Sequence, residues 1–483
     1  MIGPRVANAV RGDAQGPPPL HTGRATLPQG GPCGIHRASF AREKTAMSGT
    51  GQTLYRRARK VMPGGTQLLS KRPEMFLPEQ WPTYFKSAKG AEIVDLDGRT
   101  YLDMSYCGIG ATILGFADPE VDAAVKRAID MGSMSTLNCA EDIELAELLV
   151  ELHPWADMVR FGRAGGEAMA IAVRIARAAT GRDMVAFCGY HGWHDWYLSA
   201  NLGTTTALDG HLLPGLDTKG VPRGLAGLMH PFHFNKLDEI EAIVAEHGER
   251  LAAIVMEPVR SSEPEPEFIH GIRALADRSS AALIFDEVTS GFRINSGGAH
   301  LAYGVDPDLA VFAKAIANGY PMAAIVGRAS VMDAAQETFV SSTAWTERVG
   351  PVAALATLHK HREQNVAKHL MRIGTRVQNG WSAASEATGL PLHVSGIAPL
   401  GHFAFDLPEA QEVRTLFTQM MLERGIFATG SFYAMWAHTD AHVDRYLEAV
   451  NQVFRDLKIA IDQNAVRQLL RGPVAHSGFK RLT

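Results

Sequence analysis

Ala281-Ala282-Leu283-Ile284-Phe285-Asp286-Glu287 and Leu309-Ala310-Val311-Phe312-Ala313-Lys314 are two apolar runs that each end in charge. Short apolar runs of this kind read as strands buried on both faces. In an open α/β sheet, such strands deliver their C-terminal residues to the crevice where ligands bind. Asp286 and Lys314 are therefore expected to face one site. Met184 to Phe187, Leu251 to Met256 and Ala323 to Val326 are further strand candidates, with helical stretches between several of them. That alternation predicts an α/β fold with a mostly parallel, doubly wound sheet.

Two more stretches bear on the site. Arg163-Ala164-Gly165-Gly166-Glu167-Ala168 leads into a helix with Ala172, Ile175, Ala176 and Ala179 on its apolar face. A glycine turn at a helix N-terminus offers free N–H groups and the positive end of the helix dipole, which suits a phosphate. One strand later comes Gly189-Tyr190-His191-Gly192-Trp193-His194-Asp195-Trp196-Tyr197. A flat cofactor ring needs a flat partner, and Tyr190 or His191 can supply it. A lysine, an aspartate, a phosphate turn and an aromatic ring suit pyridoxal 5′-phosphate (PLP). The lysine forms the Schiff base, and the aspartate keeps the pyridine nitrogen protonated. His191 and His194 have no carboxylate or cysteine ligand at a recognised spacing, so no metal is expected. Gly108-Ile109-Gly110 is not completed as a dinucleotide fingerprint, and no GxSxG elbow occurs.

The 483 residues are 46% apolar and 20% charged, enough for a large core or two domains. A formal charge of −4, from 47 basic and 51 acidic residues, gives no reason to expect nucleic acid or an anionic membrane as partner. No apolar run approaches the roughly 18–20 residues of a membrane span. Four scattered cysteines without a CxxC pair argue against a disulfide framework and for a reducing cytoplasm.

Residues 1–46, rich in Gly, Pro, Arg and Ala, read as a disordered or non-native leader rather than a transit peptide. From Thr53 the pattern is globular. Thr53 to Val61 suits a short basic helix stopped by Pro63-Gly64-Gly65. Glu92 to Asp103 reads as a hairpin around Asp97-Gly98. Asp118-Pro119 opens a helix whose stripe is Val121, Ala124, Val125, Ala128 and Ile129, and a second helix spans about Asp142 to Leu152. After about Thr357 a helical region leads to strands within His393 to Asp406, then to helices near Glu409–Glu423 and Asp440–Ile461. The expected organisation is an N-terminal segment over 47–115 that contributes to a small domain, a large domain over 116–357, and a small α+β domain over 358–483.

From Thr53 to Phe454 the chain resembles the class III, fold-type I aminotransferases, and within them the glutamate-1-semialdehyde aminomutase-like branch. The resemblance rests on Pro63-Gly64-Gly65, on Gly166-Glu167-Ala168 with Arg174 to Arg182, and on Tyr190-His191-Gly192. Its most specific stretches are Phe285-Asp286-Glu287-Val288-Thr289-Ser290-Gly291-Phe292-Arg293 and Tyr303 to Asp308 ahead of Lys314. It implies that Lys314 carries the Schiff base and shuttles a proton, and that Asp286 holds the ring nitrogen. Val288 and Tyr190 would pack on the two ring faces, and Gly165 and Gly166 would donate N–H groups to the phosphate. Thr346, or Thr343 in its place, would reach the phosphate of the neighbouring subunit, which implies an obligate homodimer with shared active sites.

The chain also departs from that pattern. Ala164-Gly165-Gly166 stands where the family usually has Ser-Gly-Thr, so a hydroxyl contact is lost. Thr66 to Arg72 replaces the aminomutase's Ser-Pro-Val-Arg. Gly430 to Trp436, ahead of Ala437-His438-Thr439, lacks the aminomutase's glutamate. These changes fall on the substrate side, which points to an aminotransferase moving an amino group from a small-molecule donor to a carbonyl acceptor. The alternatives are a 2,1-aminomutase, or a racemase or decarboxylase on the same fold. Arg72, Arg260, Arg293, Glu347 and Arg348 are substrate-side candidates, Arg293 equally a structural ion pair. The polar Glu347-Arg348 suits a hydroxylated or sugar-derived carbonyl.

Overall fold

The computed structural model describes residues 49–478 apart from 212, 213 and 260. The expected leader and Arg260 lie outside the described residues.

The Asp97-Gly98 turn folds as its chemistry demands. Strands β1 (Phe85–Lys89), β2 (Glu92–Asp95) and β3 (Thr100–Asp103) form an antiparallel ribbon. Asp95 Oδ1 accepts the N–H groups of Asp97 and Arg99 across the turn, both at 2.9 Å.

A seven-stranded sheet carries the site. It comprises β4 (Met158–Gly162), β5 (Met184–Cys188), β6 (Met229–Pro231), β7 (Leu251–Met256), β8 (Ala282–Asp286), β9 (Leu309–Phe312) and β10 (Ala323–Gly327). The order is β4-β10-β9-β8-β7-β5-β6. From β9 to β6 neighbours run parallel, whereas β10 is antiparallel to both β9 and β4. Every residue of β7, β8, β9 and β10 is buried, because both faces are covered. Alternation along the strands divides the cover. Ala253, Val255, Ala282 and Ile284 pack with the helix Gly165–Thr180, while Ile254, Met256, Leu283 and Phe285 pack with the helix Pro266–Ser279.

The C-terminal part adds β11 (Leu392–Ser395), β12 (Leu400–Phe405), β13 (Ile426–Phe427) and β14 (Ser431–Tyr433). Three of these form a sheet ordered β11-β12-β14. The fourth, β13, pairs in parallel with β3, so the N-terminal ribbon joins the C-terminal part through a separate four-stranded sheet.

The helix Pro119–Asp130 starts at Asp118, whose carboxylate accepts from Glu120 N and Val121 N. Its stripe ends earlier than the periodicity predicts: Ile129 is 55% exposed. Among the described residues no helix is long and apolar enough to cross a membrane.

Candidate functional site

The glycine turn is built by the helix that follows it. Ala168, Ala172, Val173, Ile175 and Ala176 bury one side of Gly165–Thr180, and Gly181 ends the helix in the left-handed region, φ +66°. At the other end the Glu167 carboxylate accepts the N–H groups of Arg163 (2.8 Å) and Ala164 (3.3 Å). Gly165 and Gly166 follow in the first turn, where N–H groups have no partner within the helix. A β-carbon on Gly165 would lie 2.8 Å from Val288 Cγ1 and 3.5 Å from Ala313 Cβ. One on Gly166 would lie 3.4 Å from Gly192 Cα and 3.5 Å from His194 Cδ2. The turn therefore meets three other segments of the sequence reading: the residue two after Asp286, the residue before Lys314, and the aromatic loop.

Asp286 ends β8 and is buried. Its Oδ1 accepts Val288 N–H at 3.0 Å, and its Oδ2 lies 2.8 Å from His191 Nδ1. His191 Nε2 lies 3.1 Å from the carbonyl oxygen of Cys188, which can only accept, so Nε2 carries a hydrogen. A proton must then lie between Nδ1 and Oδ2. Of the two candidate stacking rings, His191 is fully enclosed and engaged with Asp286. Tyr190, half-buried, takes the more open position, its N–H donating to Glu257 Oε2 at 3.2 Å.

Adjacent acids on a strand point to opposite sides, and Glu287 takes no part in this site. It is buried and accepts from His300 N (2.9 Å), His300 Nδ1 (2.8 Å) and the Ser290 hydroxyl. Burial pushes its carboxyl up, but these donors outweigh burial and hold it below the usual carboxylate range.

Lys314 lies in the turn after β9 with φ +45°, a left-handed conformation that L-residues adopt at a cost. Its Nζ donates to the Thr289 hydroxyl at 2.8 Å. Thr289 lies within the Phe285–Arg293 motif, and its place between Val288 and Arg293 is the signal in the sequence that marks it. Among the described residues Arg293 forms no ion pair. Its guanidinium, fully enclosed, donates to the carbonyl oxygens of Gly110 and Thr289. Burial brings it down to about 10, still a cation at neutral pH. It clamps Cys107-Gly108-Ile109-Gly110, consecutive residues all in the left-handed region, φ +45° to +76°. Ile109 is β-branched, and such a conformation persists only where its surroundings enforce it.

The other candidates are engaged elsewhere. Glu347 accepts from Val349 N (2.7 Å) and Gly350 N (2.9 Å), capping the helix Val349–Glu363, and pairs with Arg163 Nε at 3.0 Å. Arg348 pairs with Glu141 at 2.7 Å. Arg72 packs beside Gly64 in the N-terminal segment. Thr346 is exposed, and its neighbours Trp345 and Glu347 each present a carbonyl to Arg163 Nη2 at 2.9 Å. Arg163, the residue before the glycine turn, thus pins the Thr346 segment. Replacing Glu347 by alanine is expected to destabilise the fold by about 1–2 kcal/mol, the cost of a lost cap. The ranking of amino donors should stay unchanged. Chemical denaturation and donor-panel rates check both, and a reordered panel would return Glu347 to the substrate pocket.

Among the described residues no group of three His, Cys, Asp or Glu side chains is placed to hold a metal ion.

The comparisons with known proteins agree with this geometry. The family model described as aminotransferase class-III matches residues 78–454. A 3-aminobutyryl-CoA aminotransferase of Cloacimonas acidaminovorans is 31% identical over 419 residues, 84% of this chain and 97% of that protein. A glutamate-1-semialdehyde 2,1-aminomutase of Syntrophobacter fumaroxidans is 34% identical over 400 residues, 78% of this chain and 91% of that protein. Among solved structures, the PLP internal aldimine form of the Sphingopyxis FumI protein superposes with a TM-score of 0.77 at 27% identity, covering 85% of this chain and 97% of the other. An omega-transaminase from Sphaerobacter thermophilus gives 0.76 at 28% identity, covering 85% and 98%. The chain belongs to the class-III aminotransferases, PLP-dependent enzymes of fold type I.

Proposed function

We propose that Lys314 is the residue that attaches PLP and that the chain transfers an amino group between two small molecules, rather than within one. The observation that carries the assignment is the Lys314 Nζ–Thr289 hydrogen bond of 2.8 Å beside a glycine turn in which a β-carbon on Gly165 would strike Val288. That cradle, with a buried Asp286 at the end of the neighbouring strand, fits the cofactor. Gly165 and Gly166 would hold its phosphate, Val288 and Tyr190 would flank its ring, and Asp286 would hold the ring nitrogen. Bound PLP supplies an electron sink for a carbanion at the substrate Cα. Lys314 moves the proton to and from that carbon, with Thr289 fixing the direction of Nζ. His191 keeps Asp286 oriented, and Arg293 holds the loop at Cys107–Gly110 against the same segment.

Intermolecular transfer is supported by the substrate side. Gly430 to Trp436 carries no carboxylate, and its Tyr433 packs on Tyr106 at 5.4 Å and closes over Gly110. Tyr106, Ile109 and Tyr433 suit an amino donor with an apolar body.

A cytoplasmic homodimer is part of this reading. Met131, Met134, Leu137 and Ile143 are all exposed, and a second copy of the chain would cover them. Thr346 would then serve the neighbouring subunit's phosphate. No disulfide is formed among the described cysteines.

The test is the purified holoenzyme with a panel of amines, followed by absorbance with and without a carbonyl acceptor. Conversion of PLP to its amine form by a donor alone, with about one equivalent of carbonyl product released, and continued turnover only when an acceptor is added, is the expected result. The 34% relative named an aminomutase favours a second reading. Net conversion of a single amino aldehyde with no acceptor would establish that reading.

A further inference from the structure

The glycine turn lacks side-chain donors, since Ala164 and Gly166 have neither hydroxyl nor amide. Such a gap beside a phosphate is a loss of binding unless another group fills it. The point a β-carbon would occupy at Gly166 lies 3.5 Å from His194 Cδ2 and 3.8 Å from His194 Nε2. The Cδ2–Nε2 edge of this imidazole therefore stands in van der Waals contact with the point where a side chain at position 166 would begin. The approach is fixed by the backbone. Gly192 has φ +102°, and a β-carbon on it would lie 2.8 Å from Gly166 Cα, so the aromatic loop touches the glycine turn directly. The ring stacks on Trp193, centroids 4.5 Å apart at 23°, which restrains its plane. His194 is half-buried, and among the described residues no hydrogen bond or ion pair engages its ring nitrogens.

We propose that His194 Nε2–H donates to the PLP phosphate, replacing the hydroxyl that the turn Ala164-Gly165-Gly166 lacks. The inference rests on the reading that this turn holds the phosphate. A histidine N–H donating to a dianion makes a charge-assisted hydrogen bond, of the same class as the hydroxyl contact it would replace. His194 is a cofactor-positioning residue, and its effect is confined to the phosphate end.

The experiment measures binding by titrating apoenzyme with PLP and, separately, with pyridoxal, which lacks the phosphate. His194→Ala is expected to raise the PLP dissociation constant about ten- to a hundredfold, the range for losing a hydrogen bond to a charged group. Pyridoxal affinity should stay within about twofold. Gly166→Thr added to His194→Ala should recover most of the loss, because a β-carbon at Gly166 meets only ordinary contacts and the vacated ring leaves room for the hydroxyl. His194→Gln, which keeps an N–H donor, should fall between the two. Equal weakening for PLP and pyridoxal, or no weakening for either, overturns the proposal. Gly165→Val, which drives atoms into Val288, separates the two levels. If it abolishes PLP binding while His194→Ala does nothing, the phosphate site stands and the His194 role falls. If neither variant changes PLP binding, both fall.

Discussion

Lys314→Ala is expected to slow amino-group transfer by about 10³-fold or more, with the fold retained. The lysine has two roles in the proposed function, and the second, proton transfer at a carbon acid, alone contributes about 10²–10⁴-fold. Attachment adds to this. The fold should survive because the change touches neither the strand nor the strain. Residue 314 sits at φ +45°, and alanine and lysine meet the same steric cost there. The flanking Ala313, Ala315 and Ile316 remain buried, and the hydrogen bond to Thr289 is removed from a site beside the sheet rather than within it. Stability should therefore change by no more than about 1 kcal/mol. Two measurements distinguish the roles. Borohydride reduction followed by peptide mapping should place a pyridoxyl group on Lys314 in the wild type and none in the variant. A small primary amine added to the variant should restore part of the rate by carrying the proton. Transfer within tenfold of wild type would remove Lys314 from the mechanism.

Lys314 was legible because strand-end chemistry is local. A buried strand is a run of apolar residues whatever its neighbours are, so β7, β8 and β9 stand out, and their last residues are automatically at the crevice. The two strands missed in the large sheet, β4 and β6, lie at its edges. β4 carries Arg160 and has an exposed Met158, and β6 is three residues long and ends in Pro231. Neither is buried on both faces, so neither shows a continuous apolar run. The pairing of Ile426-Phe427 with β3 joins residues far apart in sequence, and no short-range pattern marks it. Charged candidates are hard to rank for a related reason. Glu347, Arg348 and Arg293 look available in the sequence, yet their partners are Arg163, Glu141 and two carbonyl groups from distant segments. A sequence displays charge but not what neutralises it. Thr289 and His194 are the converse case: modest residues given their place by the backbone contacts around them.

Asp286→Asn is expected to keep the fold and lose most of the chemistry, and the reason lies in proton counting. In the wild type, Asp286 receives Val288 N–H on one oxygen and shares a proton with His191 Nδ1 on the other, while Nε2–H is committed to Cys188 O. An asparagine can satisfy the same two partners. Its carbonyl oxygen accepts Val288 N–H, and its amide donates to Nδ1, which in a neutral ring bearing hydrogen on Nε2 is a lone pair. No buried group is left without a partner, so stability should change by less than about 1 kcal/mol. Asp286→Ala leaves both Val288 N–H and the imidazole unsatisfied and should destabilise the fold by about 1–3 kcal/mol. What asparagine cannot supply is negative charge. A ring nitrogen stays protonated, and the electron sink stays strong, only beside an anion. Removing one preorganised electrostatic partner of this kind typically costs about 10²–10³ in rate. The two variants should therefore be similarly slow in the donor half-reaction but differ in unfolding midpoint. If Asp286→Asn instead transfers amino groups at the wild-type rate, the carboxylate is a structural partner of His191 alone, and the ring nitrogen must be held by another residue.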